Sequence, residues 1–192
     1  MNFYIEITLL PGVDVGLYFL WEKVFQQIHK GLVSIKGTEE KGPVGLSFPE
    51  YDTKRNQLGA KVRLFAYDEK TLDELNSKRL LSGYLDYVHL TRSRSVPNSI
   101  LSYACYKRHQ PKSSIERLAR RKAKREGRSE EEALKLLQPF QEQRVRTPYI
   151  NMCSISSKHR FRLFIYKQKF QSPVNGGFSC YGLSGNSTVP EF

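Results

Sequence analysis

Apolar positions alternate from the start of the chain: Phe3, Ile5, Ile7 and Leu9 interleave with Tyr4, Glu6 and Thr8, and this period of two predicts a strand ending at Pro11. The spacing then changes. Leu17, Leu20, Trp21, Val24, Ile28 and Leu32 recur at helical intervals, which predicts a long amphipathic helix with Gly37 after it. Val44 to Phe48, between Pro43 and Pro49, predicts a short strand, and Lys61 to Tyr67 alternates again with Val62, Leu64 and Ala66 on one side. Asp68 is suited to cap a helix carrying Leu72 and Leu75, and Tyr84 to Leu90 predicts a fourth strand.

The predicted order is β-α-β-β-α-β, the ferredoxin-like arrangement, over a domain spanning 1–92. Small RNA-binding domains and unrelated enzymes both use that fold, so it decides little about function. Thr91 to Ser99 is polar, contains Pro97 and reads as a linker into a second domain, 93–192. There Ile100 to Lys107 is strand-like, a basic helix follows at about 113–127, and Ser129-x-x-Glu132 is a capping box opening a short helix through Leu134 and Leu137 to Pro139. Further strands are predicted at Tyr149 to Ser156, Phe161 to Tyr166 and Phe178 to Leu183. The class is α+β.

With 39% hydrophobic and 12% aromatic residues in 192, the chain can bury a core, so wholesale disorder is excluded. The longest apolar run, Val15 to Trp21, is seven residues, whereas a membrane-spanning helix needs about 20. No secretion-signal pattern follows Met1, and Cys105, Cys153 and Cys180 are odd in number without a CxxC pair. A disulfide framework or structural zinc is not expected, and the expected location is cytoplasmic.

Charge changes the picture most. Lys and Arg number 31 against 19 acids, a net of +12. Between Lys107 and Arg128 stand ten cations and two acids, so +8 of that +12 lies in 22 residues. Such concentration points to a polyanionic partner. On a helical wheel starting at Ile115, the residues Arg117, Arg120, Arg121, Lys124, Arg125 and Arg128 fall between about 140° and 280°, opposite Ile115, Ala119 and Ala123; only Lys122 breaks the pattern. Like charges at i,i+4 (Arg117 and Arg121, Arg120 and Lys124, Arg121 and Arg125) cost a few tenths of a kcal/mol each, which a merely solvated face would avoid by alternating signs. Alanines in the apolar stripe argue against a membrane-surface helix. The spacing does not separate DNA from RNA, because phosphate contacts supply affinity in both.

Acids here show no DxD arrangement, and His29, His89, His109 and His159 are widely separated, so no metal site is expected. Neither a P-loop nor a GxGxxG fingerprint appears, and no cofactor is expected. RNA, however, carries its own nucleophile. A protein that activates the 2′-hydroxyl beside a scissile phosphate needs a base near neutrality, which suits histidine, together with held geometry. His29 sits one position off the apolar stripe of the first helix; on its own it reads as a packed or solvated residue sooner than as a catalytic one. Ser154, Ser156 and Ser157 read as turn formers and Tyr181 as a core aromatic.

Taken together, the segments VFQQIHKGLV (24–33), VGLSFPEYD (44–52), KRHQPKSSIERLARRKAKREGRSEEEA (107–133), SISSKHRFRLFI (154–165) and GGFSCYGLS (176–184) make the chain similar to the CRISPR repeat-specific endoribonucleases of type I-F systems, the Csy-four or Cas-six-f family. The resemblance implies that His29 is the catalytic histidine acting on the 2′-hydroxyl, that Ser154 fixes the attacking ribose with Ser156 beside it, and that Tyr181 packs near the histidine. It implies that Arg108 and Gln110 read base edges at the bottom of a hairpin stem, and that Phe161 stacks beneath the terminal base pair. Arg117, Arg120, Arg121, Lys124 and Arg125, with Arg128, would lie along the stem, Arg121 and Arg125 as the main phosphate clamps. It further implies a distorted ferredoxin-like second domain and metal-independent cleavage of precursor CRISPR RNA within repeats. The product would stay bound as mature guide RNA in a type I-F surveillance complex, with no membrane involved. Two other readings compete: a structured-RNA-binding subunit without turnover, and a DNA-binding factor.

Overall fold

The computed structural model describes residues 1–110, 115–137, 146–154 and 157–192. They separate into two compact units, Met1–His109 with Thr147–Phe192, and Gln110–Arg146. The chain is mixed α/β with antiparallel sheets.

The first unit opens with β1 (Phe3–Leu9), whose Ile5, Ile7 and Leu9 are buried as their alternation requires. The helix α1 (Leu17–Lys36) buries Leu20, Trp21, Val24, Phe25, Ile28 and Leu32, and stops at Gly37, whose N–H donates to the Val33 carbonyl at φ +54°. At Gly31 two leucines come close to the helix: a Cβ there would sit 2.4 Å from the Leu80 side chain and 2.7 Å from that of Leu75, and both methyl ends would have to shift. Next come β2 (Gly45–Ser47), β3 (Lys61–Ala66), α2 (Glu69–Leu75), α3 (Ser77–Leu80) and β4 (Val88–Leu90). Asp68 caps α2 as expected, accepting from the Thr71 amide at 2.8 Å. The sheet order is β2-β3-β1-β4, and Ile5 stands opposite Leu64.

One expectation is corrected in this half. Of the strand expected over Tyr84 to Leu90, only β4 forms; Ser82–Tyr87 is a 3-10 turn, because Leu85 and Tyr87 are exposed and no alternating face is buried before Val88. Within the polar stretch 91–99, β5 (Arg94–Ser95) pairs with Phe3 and Tyr4 of β1, and the Val96 amide donates to the Asn2 carbonyl.

The second sheet consists of β6 (Ser102–His109), β7 (Tyr149–Cys153), β8 (Arg160–Phe170) and β9 (Val189–Glu191), in the order β7-β8-β6-β9. The strand expected at Phe178 to Leu183 is instead a turn. Phe178 and Leu183 are both buried, but Gly182 at φ +68° reverses the chain between them. The strand β9 carries no alternation long enough to read, and its Pro190 sits on the sheet edge, where a missing N–H is harmless. One continuous core joins both sheets, running from Ile5, Phe25 and Phe48 to Tyr106, Ile150, Leu163 and Val189.

The second unit is a helix pair, α4 (Ile115–Glu126) and α5 (Glu130–Leu136). Gly127 ends α4 at φ +65°, and Ser129 Oγ accepts from the Glu132 amide at 3.2 Å, the expected cap of α5. Its small core is Ala119, Ala123 and Ala133 with Leu137 against them. Ser113 and Ser114, the candidate caps of α4, and Pro139, the expected stop of α5, lie outside the described residues.

Candidate functional site

Phe25 and Ile28 anchor α1 in the core, which leaves His29 half-buried at the helix edge. Its Nδ1 lies 2.8 Å from the Cys180 carbonyl oxygen. A carbonyl only accepts, so Nδ1 carries the hydrogen and donates it, and the neutral ring keeps Nε2 as its basic nitrogen. Burial pulls the His29 pKa below the usual histidine value, partly offset by that hydrogen bond, so the ring is the free base at neutral pH.

The Tyr181 ring lies flat against the imidazole, with centroids 4.3 Å apart and planes 7° apart. A tight turn presents both partners of the histidine. The Gly182 amide donates to the Ser179 carbonyl at 2.8 Å and the Leu46 amide to the Gly182 carbonyl at 2.9 Å, so Cys180 and Tyr181 form the apex. A Cβ on Gly182 would sit 2.3 Å from Leu46, so the turn needs glycine for space as well as for φ.

Phe161, near the start of β8, meets Tyr181 edge-on with centroids 6.5 Å apart. The exposed Arg108 of β6 places its guanidinium 5.4 Å from the Phe161 ring centre and 5.6 Å from that of Tyr181. Burial raises the Tyr181 pKa, with Cys180 adding and Arg108 opposing, so its phenol stays protonated. His29, Tyr181, Phe161 and Arg108 thus form one cluster, although 151 of the 192 residues lie between the first and the second.

Ser154 follows β7. The Cys153 amide donates to Gln26 Oε1 at 3.2 Å, which ties this strand end to the helical turn preceding His29. Ser154 opens its own turn: its amide donates to the His159 carbonyl at 2.9 Å, and its Oγ accepts from the Ser157 amide at 3.3 Å. Sequence reasoning passed over Gln26 and Cys180. A polar residue three positions before His29 on the same helix was a readable signal for the first; a backbone carbonyl leaves none for the second. Ser156 lies outside the described residues, as does the side chain of Arg117.

In the second unit Arg120, Arg121, Lys124, Arg125 and Arg128 are all exposed, and Lys122 is half-buried, as its place on the wheel predicts. Arg120 pairs with Glu130 at 3.6 Å, and Arg125 and Arg128 both reach Glu126, at 3.2 and 3.5 Å. Exposed pairs of this kind are worth about 0–1 kcal/mol and exchange readily for a phosphate. Arg121 and Lys124 have no acidic partner among the described residues. Gln110, also of this unit, is exposed.

The profile of one protein family, described as CRISPR-associated protein (Cas_Csy4), matches residues 4–192. The chain belongs to the Csy4 family. Two curated relatives agree: the CRISPR-associated endonucleases Cas6/Csy4 of Escherichia coli (strain UTI89 / UPEC) and of Pseudomonas aeruginosa (strain UCBPP-PA14) are each 34% identical over 193 residues, covering all of both chains. Among solved structures, a RAMP protein that binds different RNA substrates matches with TM-score 0.35 and 11% identity, covering 99% of each chain. Csy4 membership thus supports the resemblance drawn from the quoted segments.

Proposed function

We propose that this chain is a metal-independent, hairpin-specific endoribonuclease that cuts precursor CRISPR RNA within its repeats. The observation that carries the reading is the His29 ring, with Nδ1 committed to the Cys180 carbonyl, one face on Tyr181 and Nε2 left basic. In the proposed reaction Nε2 takes the 2′-hydroxyl proton, the 2′-oxygen bonds to phosphorus, and the bond to the 5′-oxygen breaks. The leaving oxygen takes up a proton, giving a 2′,3′-cyclic phosphate upstream and a 5′-hydroxyl downstream. Endonuclease relatives along the full length of the chain support this.

Ser154 would orient the ribose with Ser156 beside it, and Tyr181 would hold the imidazole plane. Arg108 and Gln110 would read base edges at the stem bottom while Phe161 stacks under the last pair, a suitable arrangement where the deep A-form groove opens at a helix end. Arg117, Arg120, Arg121, Lys124, Arg125 and Arg128 would grip stem phosphates. Many charge-assisted contacts favour slow release, which fits retention of the mature guide RNA within a cytoplasmic type I-F surveillance complex. The reading also takes the halves 1–92 and 93–192 as a ferredoxin-like fold and a distorted copy of it; the antiparallel order β2-β3-β1-β4, with helices in the crossovers, supports the first.

The test is cleavage of repeat RNA in EDTA. Cutting should persist there, and should stop when the ribose at the cut is replaced by deoxyribose while binding is kept. Loss of cutting in EDTA, or cutting of the deoxy substrate, would contradict the mechanism. Equal competition by duplex DNA would contradict the RNA assignment.

A further inference from the structure

A second surface of the first unit begins at the residues that hold His29. A groove of about 790 Å³ is lined by Cys180, Tyr181 and Arg108 together with Lys107, Lys41 and Asn186, and Glu40 is its acid. We propose that this groove holds the single-stranded RNA that continues past the scissile phosphate, gripping its backbone through Lys41 and Lys107. The inference rests on His29 being the base that activates the 2′-hydroxyl.

Charge is the first support. Lys41, Lys107 and Arg108 face one acid, Glu40, and none of the three has an ion pair among the described residues. The groove is also built. Gly42 and Phe178 exchange backbone hydrogen bonds of 2.7 and 3.0 Å, which fixes the 41–42 segment against the loop, and the Ser184 amide donates to the Tyr106 carbonyl at 3.0 Å, which fixes the loop against β6. Gly177 makes room for the lysine: a Cβ there would lie 2.2 Å from that of Lys41. Neither lysine belongs to the imidazole cluster, so the charge needs another purpose.

Composition then says what is recognised. Proteins that read single strands by base offer exposed aromatic faces for stacking. Here Phe178 is 3% exposed, and Tyr181 already stacks on His29. What remains for a ligand is cationic side chains and the exposed Ser179 and Asn186, suited to phosphate and sugar rather than bases. Direction follows from the chemistry. The strand whose ribose reaches His29 is the one that passes through the scissile phosphate, so its continuation starts beside Tyr181 and Cys180, which also line the groove.

The experiment measures affinity for three hairpin RNAs carrying deoxyribose at the cut position: one ending there, one with a short unpaired 3′ extension, one with a 5′ extension of equal length. The 3′ extension should tighten binding about three- to tenfold and steepen the salt dependence by about 1.4, two phosphates at about 0.7 each. In Lys41→Ala/Lys107→Ala most of that gain should be lost while the unextended hairpin weakens far less than the extended one; Lys41→Glu/Lys107→Glu, which repels RNA at longer range, should weaken all three RNAs and leave no gain from the 3′ extension. The proposal is overturned if the 3′ extension adds nothing, if the gain survives both variants, or if the 5′ extension gives the same gain and loses it in the variants. Failure of the wild type to cut the all-ribose hairpin would instead sink the reading of His29 and leave the groove measurement to stand by itself.

Discussion

His29 and the cations of α4 are held in opposite ways. The histidine is half-buried on a helix whose next residues inward are Phe25 and Ile28, one ring nitrogen is bonded to a carbonyl, and one face is covered by tyrosine. Along α4 the side chains of Arg120, Arg121, Lys124 and Arg125 are exposed and hold at most surface ion pairs among the described residues, and the helix rests on a core of three alanines and a leucine. On the proposed reading this difference has a reason: proton transfer falls off with small errors of position, so a base calls for support from several sides. Phosphate attraction is long-ranged and tolerant, so groups that grip a backbone would need number and sign more than rigidity. Each mutation should therefore move the quantity that its own region controls and leave the other alone.

The sharpest break in that contrast is His29→Ala. Removing the base should slow cleavage about 10²- to 10⁴-fold in single-turnover assays, while affinity for a non-cleavable hairpin stays within about twofold. A variant that cuts normally would contradict the assignment of the base, and one that loses binding as well would make His29 part of the grip. Arg121→Ala should do the reverse. Losing one charge-assisted contact should weaken binding about tenfold and flatten the salt dependence by about one, with the single-turnover rate at saturating protein unchanged. An unaltered salt slope would mean that Arg121 meets no phosphate.

Legibility in the sequence followed the same divide. The helix α4 could be read residue by residue: the wheel gave its buried stripe, the odd position of Lys122 and the stop at Gly127, because α4 and its cap are local in sequence. Likewise β1 and α1 were plain, since every expected core position after the first of each, Phe3 and Leu17, is buried. The cluster around His29 was not readable from residues alone. Its parts come from α1, a turn near 180 and two strands, and the contact that selects the tautomer uses a carbonyl, which every residue possesses. Even the turn was misread as a strand, because Phe178 and Leu183 are apolar for core reasons while Gly182 sets the path. The family resemblance supplied Tyr181 and Phe161; geometry shows why they share a cluster with Arg108.

Tyr181 tests whether the stack positions His29 or merely covers it. Tyr181→Phe keeps the ring face and should cut within about threefold of wild type, whereas Tyr181→Ala should lose about tenfold, between the near-normal Phe variant and the base deletion. The pH profile separates positioning from simple loosening. Wild-type cleavage should rise with pH through a midpoint below about 6.5 and then level off, since burial lowers the His29 pKa and Nε2 acts unprotonated. Opening the stack hydrates the ring, so the midpoint of Tyr181→Ala should move up. A slower variant with the wild-type midpoint would leave Tyr181 as a packing residue only.

The smallest effect concerns stability and needs no RNA. Because His29 has a lower pKa folded than unfolded, the unfolded chain binds a proton more readily at mildly acid pH. Stability rises with pH wherever the unfolded state holds more protons, so the contribution is fully present above about 6.5, the unfolded value, and is lost as pH falls from there toward the folded pKa. Thermal melting at pH 7.5 and pH 5.5 should therefore show a larger drop for wild type than for His29→Gln, which keeps a polar side chain but cannot titrate. Carboxylates elsewhere contribute equally to both proteins and cancel in the difference. Equal drops would mean that protonating the ring costs nothing in its folded setting. The burial and the tyrosine face would then not be what holds this base neutral, and the contrast with the freely hydrated cations of α4 would lose its physical ground.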